Sequence, residues 1–309
     1  MKNHFWNFPR PIIQIIVIFC IIFESIAASK QNASNASYQS ALHQRIEDSL
    51  KDLVEYLAAH IESKSTRPFV TLAYAQSLDG KIAILTNKHN IKNHPREMSL
   101  LSSNFAISSQ ESLVLTHALR SIHDAVLVGG RTLAIDNPRL NNRLWKLQPD
   151  MSNHHQPRPV VLDSHLRYVS QLENSLTVNA KNLLVCCSID AANSYSQHHN
   201  NDSTVTLLPC KTHKDGTLNL QDVLLQLQVH HGIQSVMVEG GATLLTAFAR
   251  EHLVDYQCIT LSPKLLGDAG LPSMGCLSTD DGEYVTIGPL KCITLGPDCV
   301  IFGRWKHQE

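Results

Sequence analysis

Apolar residues fall along this chain in two different rhythms. Between 41 and 63, Leu42, Ile46, Leu50, Leu53, Leu57 and Ile61 recur every three or four residues, with Glu47, Asp48, Lys51 and Glu55 on the opposite face. That spacing predicts an amphipathic helix. From Pro68 onward the rhythm changes. Short continuous runs rich in branched side chains read as strands buried on both faces: PFVTLAYA (68–75), DAVLVGG (124–130), PVVLD (159–163), NLLVCC (182–187) and SVMVEGG (235–241). Helical patterns at 108–123, at about 219–230 and in ATLLTAFAREHL (242–253) alternate with them. YQCITLSPKLLG, EYVTIG and DCVIFGRW add further strands. This alternation predicts an α/β domain built on a mostly parallel sheet. The segments 146–157 and 190–203 read as long polar loops.

Composition narrows the classes. The chain has 309 residues, enough for one large domain or two modest ones, and 43% hydrophobic against 17% charged residues is an ordinary globular balance. Lys plus Arg number 26 and Asp plus Glu 27, so no net field recruits nucleic acid, and no basic run with interleaved aromatics appears. The eight cysteines include no CxxC pair and mostly sit in buried-type runs, which points to core thiols, with no disulfide framework and no metal site. At the start, Lys2 and Arg10 precede the apolar run IIQIIVIFCIIF (12–23) and the small residues of SIAAS. That layout suits a secretory signal or a membrane anchor over 1–28, although the run is short of the ~20 apolar residues of a full span. Residues 29–66 follow as a linker and the amphipathic helix, and the main domain is expected over 67–309.

Two glycine turns follow buried strands, VLVGGRT (126–132) and VMVEGGAT (236–243). In open α/β sheets, ligands bind beyond the carboxyl ends of the strands. Glycine lets the backbone approach a ligand closely, and the N–H groups of a following helix suit a phosphate. Gly240 and Gly241 could therefore cradle a phosphate, or could form an ordinary tight turn with a solvated Glu239. Arg131 places a fixed positive charge on what reads as a loop after the first turn, and IDNPRLNNR (135–143) adds Asp136, Asn137, Arg139 and Arg143. An acid, an amide and arginines beside a glycine turn fit a phosphosugar site or a polar turn. Neither turn is GxGxxG or a P-loop, and GxSxG and HExxH are absent. His60-Ile61-Glu62 lacks the downstream PCxxC of a zinc deaminase.

Taken in order, PFVTLAYAQSLDGKIA, THALRSIHDAVLVGGRTLAIDNPRLNNR, RPVVLD, SVMVEGGATLL and LSPKLLG resemble the reductases of riboflavin biosynthesis. The stand-alone 2,5-diamino-6-ribosylamino-4(3H)-pyrimidinone 5′-phosphate reductases are the nearer form, and the reductase half of the bacterial deaminase–reductase is related. The resemblance covers roughly 67–303. It implies a dihydrofolate-reductase-like α/β domain with a central mixed, mostly parallel sheet. It also implies NADPH as hydride donor, no metal, and a homodimer. The ribosylamino group of the substrate would open to an imine, and hydride at the sugar C1 would leave a ribitylamino product.

The resemblance also assigns roles. Thr132 and Asp136 match cofactor contacts, as do Ala75 and the backbone-rich run of Gly241, Ala242, Thr243 and Leu244 with Gly240 before it. Arg131 falls where an arginine commonly meets the cofactor 2′-phosphate. Arg120, Leu140, Arg143 and Glu239 match substrate contacts, Arg143 being assigned to the phosphate. Glu239 at its strand end is also the candidate general acid. The alternatives are a reductase of the deaminated uracil intermediate, another reductase of the same fold, or a tethered nucleotide-binding relative without catalysis. The family implies a cytoplasmic enzyme, whereas the apolar leader suggests targeting or anchoring.

Overall fold

The computed structural model describes residues 37–87, 98–100, 106–145, 155–168, 182–198, 205–275, 277 and 285–306. The apolar run 12–23 lies outside them. Among the described residues no helix is long and apolar enough to cross a membrane. The chain divides into two compact units, Met1–Asp48 and Ser49–Glu309, and the second carries the architecture below.

The strands in chain order are β1 Phe69–Ser77, β2 Lys81–Asn87, β3 Met98–Leu100, β4 Ala125–Gly129, β5 Arg158–Leu162, β6 Leu184–Ser188, β7 Thr206–Cys210, β8 Ser235–Val238, β9 Tyr256–Ser262, β10 Gly270–Pro272, β11 Thr286–Ile287, β12 Lys291–Leu295 and β13 Asp298–Lys306. The helices are α1 over 37–62, α2 Gln110–Ile122, α3 Gly130–Asp136, α4 Ile189–His198, α5 Leu220–His231 and α6 Ala242–Arg250. The main sheet runs β11-β13-β9-β1-β8-β4-β5-β6-β7, with β12 paired to β13. From β9 to β7 every ladder is parallel, and β13 runs antiparallel to β9. β10, β2 and β3 form a small second sheet.

The central strands are largely apolar because helices cover both faces. Val70, Leu72, Leu127, Val160, Leu184, Val236 and Val238 pack with Val223, Leu224 and Leu227 of α5 and with Leu245 and Phe248 of α6. Helix α5 is closed at both ends. The Asn219 side chain accepts the Asp222 N–H, and Gly232 turns left-handed at φ 64° so that its N–H reaches the last carbonyls. Within the second unit, α1 buries Leu50, Leu53 and Leu57, and the Arg304 guanidinium lies 4.6 Å over the Tyr56 ring. Ile61, expected on that apolar face, is 41% exposed, since the helix ends at 62.

Three expectations change. Residues 189–198 form helix α4 where a loop was read: the Ser188 hydroxyl caps the Ala191 N–H, Asp190 sits favourably in the first turn, and Ala192 turns inward. Its polar composition hides the helical period. Residues 130–136 form the short helix α3, so Arg131 lies in a first helical turn rather than on a loop. The strands β2, β3, β7, β10 and β12 were not expected. Pro209 inside β7 argues against a strand, yet β7 is the edge of the sheet, where a missing N–H is tolerated.

Candidate active site

Strand β8 lies between β1 and β4, although it follows both in sequence. This insertion brings three carboxyl ends side by side, those carrying Ala75, Gly129 and Glu239. The Glu239 N–H continues the ladder by donating to the Leu127 carbonyl at 2.9 Å. Beyond these ends opens a cleft of ≈ 1460 Å³. Its walls include Ala75, Arg131, Thr132, Asp136, Glu239, Gly240, Gly241, Ala242, Thr243 and Leu244, so the proposed cofactor residues meet on one surface.

The two glycine turns face each other. A Cβ on Gly241 would stand 3.4 Å from the Thr132 hydroxyl, which places the start of α6 against the start of α3. A Cβ on Gly130 would lie 2.9 Å from the Tyr168 ring and 3.3 Å from the Leu162 carbonyl, so only glycine lets α3 sit this close to the turn after β5. An extended, phosphate-bearing dinucleotide fits such a cradle: an open trough, a helix N-terminus at Gly241, and the Thr132 hydroxyl opposite. Desolvation within the cleft raises the Asp136 carboxyl.

Glu239 does not stand alone. The Arg120 Nε and Nη2 donate to its two carboxylate oxygens, each at 2.7 Å. Arg120 comes from the last turn of α2 and is almost fully buried, and its Nη1 donates to the Asn141 carbonyl at 3.0 Å. Burial alone would lower this guanidinium, but the charge and hydrogen bonds of Glu239 outweigh it and leave it raised. A carboxylate gripped in this way is an anionic acceptor.

The segment 138–145 forms the rim beside this pair. Arg143 is exposed, and its Nη1 donates to the Asn141 side chain at 3.3 Å. Desolvation, then the nearby charges of Arg120 and Arg139, lower Arg143. Three guanidinium groups thus lie near the carboxylate of Glu239, an arrangement that suits a phosphate. Leu140 differs from its neighbours: it is fully buried and held at φ 49°, so its side chain packs inward and does not face the cleft. Arg120, Leu140 and Arg143 do not line the cleft proper, unlike Glu239.

Other contributors escaped the sequence reading. After β5, Ser164, His165, Arg167 and Tyr168 line the cleft, on a turn pinned by the Asp163 carboxylate, which accepts the N–H groups of Arg167 and Tyr168 at 3.0 and 2.8 Å. The strand-end rule that singled out Gly240 applies equally to Asp163-Ser164. His117 on α2 and Gln156 hold the 138–145 segment from below, and nothing in their local sequence marks them. Among the described residues, no group of three or more His, Cys, Asp or Glu could hold a metal.

Residues 68–301 match the family described as the RibD C-terminal domain. The 2,5-diamino-6-ribosylamino-4(3H)-pyrimidinone 5′-phosphate reductase of Debaryomyces hansenii is 33% identical over 67% of this chain and 79% of its own length. The protein of the same name from Kluyveromyces lactis is 28% identical over 72% of this chain and 84% of its own. Among solved structures, the Saccharomyces cerevisiae riboflavin biosynthesis reductase superposes with a TM-score of 0.56 at 24% identity, over 78% of this chain and 91% of that one. Acinetobacter baumannii RibD does so with a TM-score of 0.58 at 23% identity; 78% of this chain is covered, and the match spans 59% of that longer chain. The α/β fold with its mixed, mostly parallel sheet is thus shared with these reductases.

Proposed function

The chain belongs to the RibD C-terminal domain family, and from that premise we propose that it reduces 2,5-diamino-6-ribosylamino-4(3H)-pyrimidinone 5′-phosphate to its ribitylamino product with NADPH, a step of riboflavin biosynthesis. The observation that carries this reading is the junction of two kinds of surface. A glycine-walled cleft suited to a dinucleotide ends at Glu239, and Glu239 is tied by Arg120 to an arginine-rich rim suited to a phosphate.

When bound, the nicotinamide cofactor supplies a hydride to the sugar C1 of the opened ribosylamino group. Thr132 and the first turn of α6 hold its phosphates, and Gly241 keeps the space between them open. Asp136, on the same wall, accepts hydrogen bonds from cofactor hydroxyls. Arg143, with Arg120 and Arg139 behind it, binds the substrate 5′-phosphate and so anchors the end of the ribosyl chain remote from C1.

Glu239 is the residue at which the two ligands meet. Both of its oxygens accept from Arg120, so it orients the substrate's sugar hydroxyls and amino nitrogen as an acceptor, and its negative charge favours the cationic iminium form at C1. The two hydrogen bonds from Arg120 favour this acceptor task over proton donation. The 5′-phosphate of the named relatives, together with the rim, favours a phosphorylated ribosyl substrate. The family resemblance carries the homodimer forward as the expected assembly.

The test follows NADPH absorbance with the diamino and the deaminated ribosylaminopyrimidine phosphates side by side. Faster oxidation with the diamino compound supports the reading. Faster oxidation with the deaminated compound moves the enzyme to the other branch, and tight NADPH binding without oxidation by either overturns the reductase.

A further inference from the structure

The proposed substrate rim is held from below by His117, a residue that does not line the cleft. The 138–145 segment is irregular: it is entered through Asn137 at φ 41° and turns again at Leu140 at φ 49°, both in the left-handed region, and a segment so shaped keeps its form only where its surroundings enforce it. Several contacts do so. The Arg120 Nη1 donates to the Asn141 carbonyl at 3.0 Å. Gln156 brackets Asn142, accepting its N–H at 3.0 Å and donating to its carbonyl at 2.8 Å. The Arg143 N–H donates to the Nδ1 of His117 at 3.1 Å. This last contact is the one made at the backbone of the proposed phosphate ligand itself.

We propose that His117 is a positioning residue, which fixes Arg143 for the substrate phosphate by accepting its backbone N–H. The inference rests on the reading of Arg143 given above. Because Nδ1 accepts, the ring proton sits on Nε2, and that atom is buried without a hydrogen-bond partner among the described residues. The surroundings explain why this acceptor is an imidazole. A carboxylate here would pair with the Arg120 or Arg143 guanidinium and draw it from Glu239 or from the phosphate, whereas a cationic side chain could not accept at all. The buried ring between two guanidiniums stays neutral, its conjugate acid pushed down to about 3 by burial and then by Arg120 and Arg143, so the acceptor persists at any working pH.

Two substitutions separate position from bulk. In His117→Asn the amide oxygen stands as far from Cβ as Nδ1 does, and in His117→Gln it stands one bond further out. The full chain carrying each is assayed with the phosphorylated substrate and with its dephosphorylated counterpart, and NADPH affinity is measured by titration. His117→Gln is expected to raise KM for the phosphorylated substrate roughly tenfold, the size of one lost buried hydrogen bond. KM for the dephosphorylated compound and the affinity for NADPH stay at wild-type values, and His117→Asn stays close to wild type throughout. Equal impairment of both variants, equal loss on both substrates, or no loss in either variant overturns the inference alone, provided the wild-type enzyme prefers the phosphate. A wild-type enzyme indifferent to the phosphate overturns the reading of Arg143 and this inference with it.

Discussion

Replacing Glu239 by Gln keeps the length of the side chain and one acceptor oxygen, but it removes the charge that Arg120 grips at 2.7 Å on both sides. The Arg120 and Glu239 side chains are only 8% and 18% exposed, so solvent screens the pair weakly. Truncating one partner of such a buried pair costs about 3–5 kcal/mol, mostly from the charge left behind. Gln still accepts from one nitrogen while turning its own N–H₂ toward the other, so a loss of about 2–3 kcal/mol is expected. For a unit of this size that corresponds to a Tm lower by roughly 5–10 °C. The same change removes the negative charge that faces the reacting sugar, and kcat/KM should fall about a hundredfold, equivalent to ~2.7 kcal/mol of transition-state stabilisation. Calorimetry and steady-state kinetics read the two losses separately. The double variant Arg120→Met, Glu239→Gln should recover part of the stability, because no unpaired charge remains, but none of the activity. Near-normal turnover in Glu239→Gln would refute both the orienting role and proton donation. A double variant no more stable than the single one would refute the account of the pair.

Two further expectations follow from the cleft and its supports. Thr132→Val keeps the shape of the wall opposite Gly241 but removes its hydroxyl; KM for NADPH should rise about tenfold with substrate KM unchanged, as expected for one hydrogen bond to a charged group. Acid should weaken the fold through His117 and His123, whose burial pushes them down from 6.5 to about 3 and about 4. The unfolded chain takes up these protons below ~6.5 while the folded chain does not, so their stabilisation is complete above that pH and is lost as pH falls toward the folded values. Urea unfolding at pH 7 and near pH 5 should differ by up to ~2 kcal/mol for each of these histidines, and His117→Asn should flatten the dependence.

The central strands were legible because burial on both faces leaves an unbroken apolar record, as in AVLV and SVMV. Helix α4 was not, since its side chains are mostly polar and its start depends on the Ser188 cap. Strand β7 was hidden by a proline that only an edge position permits. The two glycine turns that line the cleft were legible in sequence because each follows a buried apolar run. That Glu239 and Arg120 form a pair was not visible, because 119 positions separate them and the contact depends on β8 inserting between β1 and β4. The role of His117 was hidden for the same reason: its partner, the Arg143 N–H, is a backbone group that no side-chain pattern reports.

The most direct test of the central claim uses NADPH carrying deuterium at the transferable position of the nicotinamide ring, incubated with the full chain and the diamino ribosylaminopyrimidine phosphate. The account predicts that the label appears at C1 of the ribityl side chain of the product, as read by mass spectrometry and NMR. Label on the pyrimidine ring, or a product that forms without label, would contradict it.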